Sequence, residues 1–446
     1  MADFLAAPAD WPRIILARPP STIGSAEAGA AFDEAVRAGA FEGLKRAVRD
    51  LGPTGTIATI AASGLRGRGG AGYPTGDKWR AAANQESTLR YVVANGYGAD
   101  PATRTDAALI ERDPFSLVEG LAIAAVAVGA SEAIVALRTE ETEAIRRVEA
   151  AIGEAEDAGY LGHDILGSGH DVDMIVRTVQ GAYMLGEETV LLKALAGKRG
   201  QPEQRPPYPT ERGLFDRPTV VNNVATLASV PWIIVHGPER FAATGSPTTP
   251  GTALVHLQTP AGGGIGEVPY GTPLGNILAL VGGKGAGRPL KAVLVGGPSG
   301  GFLPPDLLDT PFDFEALRAA GAHVGSGSIV ALDDRACLVD LGRILTRFCA
   351  DEACGKTIPC RIGIQRLAEI GERVASGRPK PTDLGLLGDL SHDVVESALC
   401  DHERLATLPL ASVARHFATE LEDHLARSTC AAGVCRPIAV TAAAGA

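Results

Sequence analysis

Apolar positions along residues 41–197 alternate between short runs and longer helical stripes. The short runs predict buried strands, and the segments between them are apolar at helical spacing or apolar throughout. The predicted strands are 89–95, 132–138 and 171–179, and the predicted helices are 41–51, 54–63, 114–129, 140–157 and 186–197. This alternation predicts a mostly parallel sheet flanked by helices, in which ligands bind at the carboxyl ends of the strands.

The pattern changes twice beyond residue 200. Five prolines between residues 200 and 220 predict a rigid, extended loop. From 250 to 330, short apolar strands around glycine-rich turns predict a small α+β domain. Beyond residue 335 the apolar spacing predicts four helices, 337–349, 360–376, 382–399 and 407–427. Four helices of this length are expected to pack as a bundle.

These changes divide the chain into five segments. Residues 1–40 are rich in alanine and proline and have little periodicity, which predicts a poorly ordered lead-in. The other segments are an α/β domain at 41–240, an α+β domain at 250–332, a helical bundle at 335–428 and a tail at 429–446.

Composition narrows the class of protein. A chain of 446 residues with 45% hydrophobic and 21% charged residues is typical of a globular protein with several domains. A net charge of −11 without a basic stripe argues against nucleic-acid binding. The most apolar run, 120–130, lies between Glu119 and Glu132 and is too short to cross a membrane. With no secretory signal visible, we expect a cytoplasmic protein without direct membrane insertion, whose seven cysteines are not a disulfide framework.

A glycine-rich loop at 64–79, GLRGRGGAGYPTGDKW, is the first candidate for chemistry. Six glycines lie within 13 residues, with Arg66, Arg68 and Lys78 among them or just after. Such a loop can direct backbone N–H groups at a phosphate and lets the chain pass close to a flat ring. It matches neither the P-loop nor the dinucleotide-binding fingerprint. A flexible surface loop is the alternative.

The amino-acid sequences of this loop and of two later segments resemble those of one known family. The segments are GAYMLGEETVLLKALAGKRGQPEQRPPYP at 181–209 and RPTVVNNVATLASVP at 217–231. Together they resemble the NADH-binding flavoprotein subunit shared by respiratory complex I, NAD-reducing hydrogenases and NAD-dependent formate dehydrogenases, over roughly residues 41–428. The resemblance implies an α/β FMN-binding domain with a mostly parallel sheet, a small ubiquitin-like α+β domain and a C-terminal four-helix bundle that carries a [4Fe–4S] cluster.

The resemblance also implies the residues of an FMN and NAD(H) site. Asn95 and Glu188 are the expected catalytic residues. The expected FMN-binding residues are Gly64, Arg66, Gly67, Lys78, Asn95, Tyr183, Gly186, Glu187, Glu188, Asn222, Asn223 and Thr226. The expected NADH-binding residues are Tyr73, Trp79, Asp100, Arg205 and Tyr208. The bland alternatives are that Glu187 and Glu188 only open a helix and that the aromatic residues are plain core.

The chain departs from the family pattern after Asn95. The family usually continues with Ala-Asp-Glu, whereas Tyr97 and Gly98 stand here in place of the acidic pair. Asp100 follows closely and could supply one carboxylate. We expect the lost negative charge to alter nicotinamide binding rather than FMN binding.

A second departure lies in EACGKTIPCRIG at 352–363. Cys354, Cys360 and Cys400 match three of the four cysteines that the family uses for its cluster, and Thr357 stands in the fourth position. A threonine hydroxyl is a poor ligand for iron in a sulfide cluster. Cys349 could substitute, an oxygen ligand such as Thr357 or water could complete an altered or three-iron cluster, or the cluster could be absent.

Two further cysteines close the sequence. Cys430 and Cys435 form a C-x-x-x-x-C pair in STCAAGVC at 428–435. The pair resembles the opening of a ferredoxin-like extension, but the remaining 11 residues are too few for a second cluster. We therefore expect a disordered tail.

The function that the resemblance implies is NADH/NAD⁺ oxidoreduction within a larger complex. The expected partners are a small [2Fe–2S] thioredoxin-like subunit and a larger iron–sulfur and molybdenum subunit. The CGKxxPCRIG run and the short N-terminus are most similar to NAD-dependent formate dehydrogenases. The alternatives are complex I, an NAD-reducing hydrogenase, or a structural relative that transfers no electrons.

Overall fold

The computed structural model describes residues 3–23, 29–282 and 287–435. The first half of the chain is built around a four-stranded parallel sheet. Its strands are β1 (Tyr91–Gly96), β2 (Glu132–Arg138), β3 (Asp173–Val179) and β4 (Thr219–Asn223), in the order β3-β2-β1-β4. The register pairs Asn95 of β1 with Asn223 of β4. The predicted parallel sheet is therefore confirmed, and the carboxyl ends of its two neighbouring strands β1 and β4 lie side by side.

Helices cover both faces of this sheet. They are α1 (Ala30–Arg37), α2 (Glu42–Arg46), α3 (Gly52–Ala62), α4 (Thr75–Ala83), α5 (Thr105–Arg112), α6 (Pro114–Val128), α7 (Thr142–Asp157), α8 (Glu188–Leu195), α9 (Val224–His236) and α10 (Pro238–Ala242). Helix α6 is buried along its whole length and crosses α9 at Gly120, where an added Cβ would overlap the carbonyl oxygen of Leu227. This close crossing explains why the most apolar run of the sequence is a core helix.

The helix predicted at 41–51 is only partly correct. A π-helical turn, Ala47–Leu51, joins α2 to α3, so the two predicted helices run into one another. The apolar stripe predicts Leu51 on the buried face, but this residue is 36% exposed. The wider π turn shifts the helical spacing by one position, which moves Leu51 out of the apolar stripe.

The described part of the lead-in segment, residues 3–23 and 29–40, is packed, contrary to the prediction of poor order. Ile14, Ile15 and Ile23 are buried in the core, and Phe32 of α1 packs against the ring of Phe41 with centroids 5.3 Å apart. The buried carboxylate of Glu267 accepts backbone N–H groups of residues 14, 15 and 16. Arg18 pairs with Asp113 at 3.0 Å and with Glu119 at 2.9 Å. These contacts join the segment to helix α6 and to Glu267, which lies in the next part of the chain.

A second sheet of five strands follows. Its strands are β5 (Thr252–Thr259), β6 (Gly262–Pro269), β7 (Leu290–Val295), β8 (Gly301–Leu303) and β9 (Ser328–Asp333), in the order β6-β5-β9-β7-β8. Strands β5 and β9 are parallel, and the other neighbours are antiparallel. Two short helices, α11 (Leu274–Leu278) and α12 (Phe314–Ala320), pack on it around a separate apolar core. The ubiquitin-like description of this unit stays a prediction.

The last quarter of the described chain is helical. Its helices are α13 (Leu338–Asp351), α14 (Gln365–Ala375), α15 (Asp383–Glu396), α16 (Asp401–Leu405), α17 (Leu408–His416) and α18 (Ala418–Arg427). The helix predicted at 407–427 is broken at Phe417, whose backbone leaves helical geometry at φ −129° and ψ 39°. The four-helix-bundle description therefore stays a prediction. Among the residues that the structure describes, no helix has the length and apolarity needed to cross a membrane.

Candidate functional site

The glycine-rich loop forms a closed turn between α3 and α4. Gly67 donates its N–H to the carbonyl of Tyr73 at 2.9 Å, which ties the two sides of the loop together. At the tip, no protein acceptor in the described residues has hydrogen-bond geometry to the N–H groups of Gly69, Gly70 and Ala71. An added Cβ at Gly69 would meet only the Asn223 side chain, at 3.4 Å. The tip therefore offers free backbone donors beside β4, which fits an anionic group such as a phosphate.

The arginines of this loop have partners inside the protein. Arg66 pairs with Glu315 of α12 at 2.9 Å and stacks on Phe314, with its guanidinium carbon 4.6 Å from the ring centre. Arg68 is buried and donates to the carbonyl oxygens of Arg66 and Pro250, and burial lowers the pKa of its guanidinium. Both side chains thus join the loop to the second sheet, so Arg66 is not free for the expected phosphate contact.

Lys78, Glu187, Glu188 and Arg205 form a charged cluster beside the loop. Lys78 Nζ lies 2.9 Å from a Glu188 carboxylate oxygen and also donates to the carbonyl of Val221. Arg205 contacts Glu188 at 3.1 Å and Glu187 at 2.5 Å. Burial acts to raise the pKa of Glu188, but the charges of Lys78 and Arg205 give a net lowering. The cluster joins residues of the first two sequence segments, and the bond from Lys78 to Val221 connects it to the third.

The two glutamates of this cluster differ in role. Glu187 caps α8, because its carboxylate accepts the N–H groups of Thr189 and Val190, and burial raises its pKa. Most of the hydrogen bonds of Glu187 are therefore those of a residue that begins a helix, which is the alternative considered from the sequence. Glu188 makes no such cap and pairs with cations instead. It is the carboxylate of the pair that is held ionised at the sheet edge.

Asn95 is fixed at the carboxyl end of β1. Its side-chain N–H₂ donates to the carbonyl of Gly186 at 3.0 Å, and its oxygen accepts the N–H of Tyr97 at 3.2 Å. Tyr97 is fully buried and donates its hydroxyl to the carbonyl of Gly181. The tyrosine that stands in place of the family's acidic residue therefore binds the start of the segment 181–209 through the Gly181 carbonyl.

Asp100 is buried against the second sheet unit rather than open to solvent. It is 4% exposed, and an added Cβ at Gly297 would collide with its carboxylate. Burial raises its pKa to about 6, partly offset by the N–H of Ala102, which it accepts at 2.8 Å. These contacts are at odds with the expected contact of Asp100 with NADH.

The residues expected on the far side of the flavin are bonded to protein groups. Asn222 accepts the indole N–H of Trp79 at 2.9 Å, and Thr226 accepts the backbone N–H of Arg68 at 2.8 Å. Asn223 donates to Asp106 at 2.8 Å. Trp79 is fully buried, which is at odds with stacking on a nucleotide. In contrast, the expected NADH-binding residues Tyr73 and Tyr208 are 54% and 53% exposed.

Tyr183 connects this edge of the sheet to the helical region. Its backbone N–H donates to Glu352 at 2.7 Å, and its ring lies 5.5 Å from Phe348 and 5.7 Å from His402, measured between ring centroids. Glu352 and His402 each lie two residues from a cysteine expected to bind iron. The expected flavin site and the expected cluster site are therefore neighbours.

The structure brings Cys354, Cys360 and Cys400 together at this junction. Burial raises the pKa of Cys360 to about 12, and the charges of Glu403, Cys400 and Cys354 add to the effect. Burial likewise raises the pKa of Cys400 to about 11, with Glu187, Cys354 and Glu403 contributing. Burial and the neighbouring negative charges thus disfavour free thiolates at Cys360 and Cys400, which fits a site where a cationic metal centre offsets their charge.

Thr357 does not stand alone in the fourth position. Its hydroxyl donates to a carboxylate oxygen of Glu403 at 2.7 Å and accepts the N–H of Cys360 at 3.3 Å. Glu403 is 1% exposed. Sequence reasoning missed it, although it follows Cys400 by three positions, the spacing of one helical turn. The site therefore offers three thiols and one hydroxyl–carboxylate pair, which fits an iron–sulfur cluster with an oxygen ligand.

Cys349, the substitute considered from the sequence, is directed elsewhere. Its thiol contacts the carbonyl of Pro298 at 3.7 Å, and burial raises its pKa to about 12. The residue lies within α13, before the loop that carries Cys354. Cys349 shares an apolar cluster with Cys360, whereas Glu403 is hydrogen-bonded to Thr357 itself.

Two families of known domains match this chain. The Nuo51 FMN-binding domain matches residues 60–232, which contain the glycine-rich loop and the first sheet. The NADH-ubiquinone oxidoreductase-F iron-sulfur binding region matches residues 340–424, which contain Cys354, Cys360 and Cys400.

Whole-chain relatives agree with this division. The chain is 39% identical over 406 residues to the NADP-reducing hydrogenase protein HndC of Solidesulfovibrio fructosivorans, covering 91% of this chain and 82% of the relative. It is 39% identical over 391 residues to the F subunit of NADH-quinone oxidoreductase of Streptomyces coelicolor, covering 87% of each. Among solved structures, a chain of an NAD⁺-reducing [NiFe]-hydrogenase in the H₂-reduced state superposes with a TM-score of 0.80 at 31% identity, covering 95% of this chain and 68% of that one.

Proposed function

The chain belongs to the family of NADH-binding FMN and iron–sulfur oxidoreductase subunits that includes the F subunit of NADH-quinone oxidoreductase, and from this membership we propose that it exchanges hydride between NAD(H) and FMN and passes single electrons through its iron–sulfur site. One observation carries the proposal. Tyr183 lies in the same segment as Glu187 and Glu188 and also contacts residues next to the cluster cysteines. In this proposal, hydride enters and single electrons leave where the segment of Tyr183 meets the residues around the cluster cysteines.

The division of labour at the flavin follows from the contacts. FMN, when bound, supplies the step between hydride pairs and single electrons. The free N–H groups at residues 69–71 would hold its phosphate, and Asn95, fixed to Gly186, would position the ring. Lys78 and Arg205 hold Glu188 ionised at the same edge. Tyr73 and Tyr208 supply exposed rings for the nucleotide. The chain's contribution is mainly positioning.

The fourth position of the cluster follows from the Thr357–Glu403 pair. We propose that the Glu403 carboxylate, oriented by the Thr357 hydroxyl, occupies the position that a cysteine takes in the family. The carboxylate is buried and already bonded to the residue in that position. A carboxylate is a harder ligand than a thiolate, so the cluster is expected to differ electronically from an all-cysteine cluster.

The proposed division of the chain into units rests on three separate sheets or helix groups. Residues 41–240 would form the FMN and NADH domain, 250–332 the ubiquitin-like domain and 335–428 the cluster-bearing helical bundle. The apolar core on one face of the second sheet supports a separate unit there. The core of the C-terminal helices also includes Ala292, Leu294 and Phe302 of that sheet, so these two units pack directly on one another.

Flavin bleaching by NADH tests the hydride step. Lys78→Met removes the cation that pairs with Glu188, so we expect about 10-fold slower bleaching and weaker FMN retention, since a buried charge-assisted bond contributes about 1.5–3 kcal/mol. Arg80→Met on the same helix is the matched control, because Arg80 pairs only with exposed Asp77. A wild-type chain that holds FMN but is not bleached by NADH would sink the proposal.

The partner beyond the cluster distinguishes three complexes. We propose a formate dehydrogenase, on the CGKxxPCRIG run, with a small [2Fe–2S] subunit and a molybdenum subunit; a hydrogenase is the second candidate, because the first relative and the superposed structure are hydrogenase subunits. Metal analysis of the native complex decides between them. Molybdenum with formate-dependent NAD⁺ reduction supports the first, nickel with hydrogen-dependent reduction supports the second, and absence of both favours a quinone-linked complex.

A further inference from the structure

Four metal-binding side chains meet at the start of α13, apart from the iron–sulfur site. They are Cys337, His424, Cys430 and Cys435, and their ligand atoms all lie within 4.8 Å of one another. Cys337 and His424 are buried, with exposures of 1% and 2%. The group is assembled from the residue before α13, the last turn of α18 and the segment after it. The C-x-x-x-x-C pair is therefore half of a larger site.

The separations between these ligand atoms match the edges of a tetrahedron around a metal ion. Cys337 Sγ lies 3.6 Å from Cys435 Sγ and 3.4 Å from His424 Nε2. A zinc ion at about 2.3 Å from sulfur and about 2.0 Å from nitrogen places two sulfurs about 3.8 Å apart and sulfur and nitrogen about 3.5 Å apart. The pair Cys337–Cys435 is too distant for a disulfide bond, which is about 2.05 Å long. The ligand set already has the spacing of a coordination shell.

Surrounding groups orient these ligands. His424 Nδ1 lies 2.8 Å from the backbone carbonyl of Glu420, one helical turn earlier, and donating its proton there leaves Nε2 free to bind a metal. Asp340 donates its backbone N–H to Cys337 Sγ at 3.4 Å, at the N-terminus of the 14-residue helix α13. Such N–H groups stabilise a thiolate.

A neighbouring lysine holds the approach to Cys337 in place. Lys291 of β7 donates to the carbonyl of Ala336 at 2.6 Å and to the Glu420 side chain at 2.9 Å. The same Glu420 side chain accepts the backbone N–H of Leu338 at 3.1 Å. The residues on either side of Cys337 are therefore fixed to the helix that carries His424.

We propose that Cys337, His424, Cys430 and Cys435 bind one zinc ion that fastens the C-terminal segment to the start of the helical region. Three thiolates and one imidazole form a tetrahedral set that favours zinc, and four protein ligands leave no open position for a substrate. Zinc carries no redox change, so the site lies outside the electron path. Its role is to join residues almost 100 positions apart in sequence.

Metal analysis of the full chain tests this site independently of hydride transfer. We expect about one zinc per wild-type chain by mass spectrometry of the metals, and its loss in the Cys430→Ser/Cys435→Ser double variant with the iron content unchanged. Cys354→Ser is the matched control, in which iron falls and zinc stays. Wild-type chain with no zinc, or a double variant that loses iron instead of zinc, would overturn the proposal.

Two further measurements guard against misfolding and oxidation. If the double variant does not fold, Co²⁺ added to metal-stripped wild-type chain should give the visible absorption of tetrahedral cobalt bound to thiolates. Absence of that absorption would overturn the proposal. Mass spectrometry of chain purified without oxygen should find Cys430 and Cys435 as free thiols, and a disulfide between them would also overturn it.

Discussion

The helical region carries two cysteine sites of opposite character. The cluster site has three thiols, Cys354, Cys360 and Cys400, and meets the flavin segment through Tyr183 and Glu187. The proposed zinc site has three thiols and an imidazole, and its neighbours are Lys291, Asp340 and Glu420. At the first site the carboxylates of Glu403 and Glu187 act on the thiols, whereas at the second Lys291 pairs with Glu420 and a helix N-terminal N–H reaches Cys337. The surroundings, rather than the number of cysteines, separate a redox site from a structural one.

Removing one cluster cysteine should have the largest effect. Cys360→Ala deletes a buried ligand, so we expect nearly complete loss of iron and of electron transfer to a one-electron acceptor. Zinc content should stay unchanged, because Cys360 takes no part in the second site. Parallel iron and zinc analysis is the measurement. A joint loss of both metals would show that the two sites are not independent.

Removing zinc should mainly affect stability. Chelation opens a link that spans almost 100 residues, and a disulfide that closes a loop of that length contributes about 4.7 kcal/mol. Since 1 kcal/mol shifts the melting temperature of a domain of about 100 residues by about 4 °C, we expect the melting temperature of the helical region to fall by about 20 °C. Differential scanning calorimetry with and without added Zn²⁺ measures the change. If the electron-transfer rate fell as much as the stability, the site would not be purely structural.

The carboxylate at the cluster should set the reduction potential. Glu403→Gln removes a negative charge beside the cluster. Because the reduced cluster is the more negative state, this change stabilises it, so the midpoint reduction potential of the cluster should rise. Redox titration followed by electron paramagnetic resonance measures it. Asp401→Asn is the matched control, because Asp401 is exposed and pairs with Arg404. Thr357→Cys should restore an all-cysteine spectrum. Equal potentials in wild type and Glu403→Gln would remove Glu403 as a ligand.

The smallest effect is expected from Lys291. Lys291→Met removes the bonds that hold Ala336 and Glu420 beside Cys337, but it changes no zinc ligand. We therefore expect roughly 10-fold weaker zinc binding, as is typical when a group that orients a metal ligand is removed. Competition with a zinc chelator measures the affinity. Arg288→Met is the control, because Arg288 is exposed and pairs with Asp334. An equal loss in both variants would mean that Lys291 acts only through general charge.

Local patterns in the sequence predicted three of the four strands of the first sheet, whereas β4 was not predicted. Strands β1 and β2 are buried on both faces, so each appears as a continuous apolar run. The family resemblance named Lys78, Glu188 and Arg205 as site residues, but it did not predict that they pair with one another. No local pattern predicts that Trp79 and Asp100 are buried, because their burial depends on Asn222 and on the second sheet.

Long-range partners explain what the sequence could not show. Glu403 is bonded to Thr357 across 46 positions, and Cys337 lies 98 positions from Cys435. Neither pairing has a periodic signal. The five-strand sheet interleaves parallel and antiparallel neighbours, so its strand order also depends on contacts rather than on spacing. The cysteine pair at the C-terminus was visible, but its other two ligands were not.

The buried carboxylate of Glu267 has a consequence for the order of synthesis. It accepts the N–H groups of Ile14 and Ile15, which lie 253 and 252 positions earlier in the chain. A ribosome makes the N-terminal segment first, yet its partner strand emerges more than half a chain later. Since domains fold in the order in which they emerge, residues 14 and 15 should lack these contacts, and stay open to a protease, until Glu267 has been made.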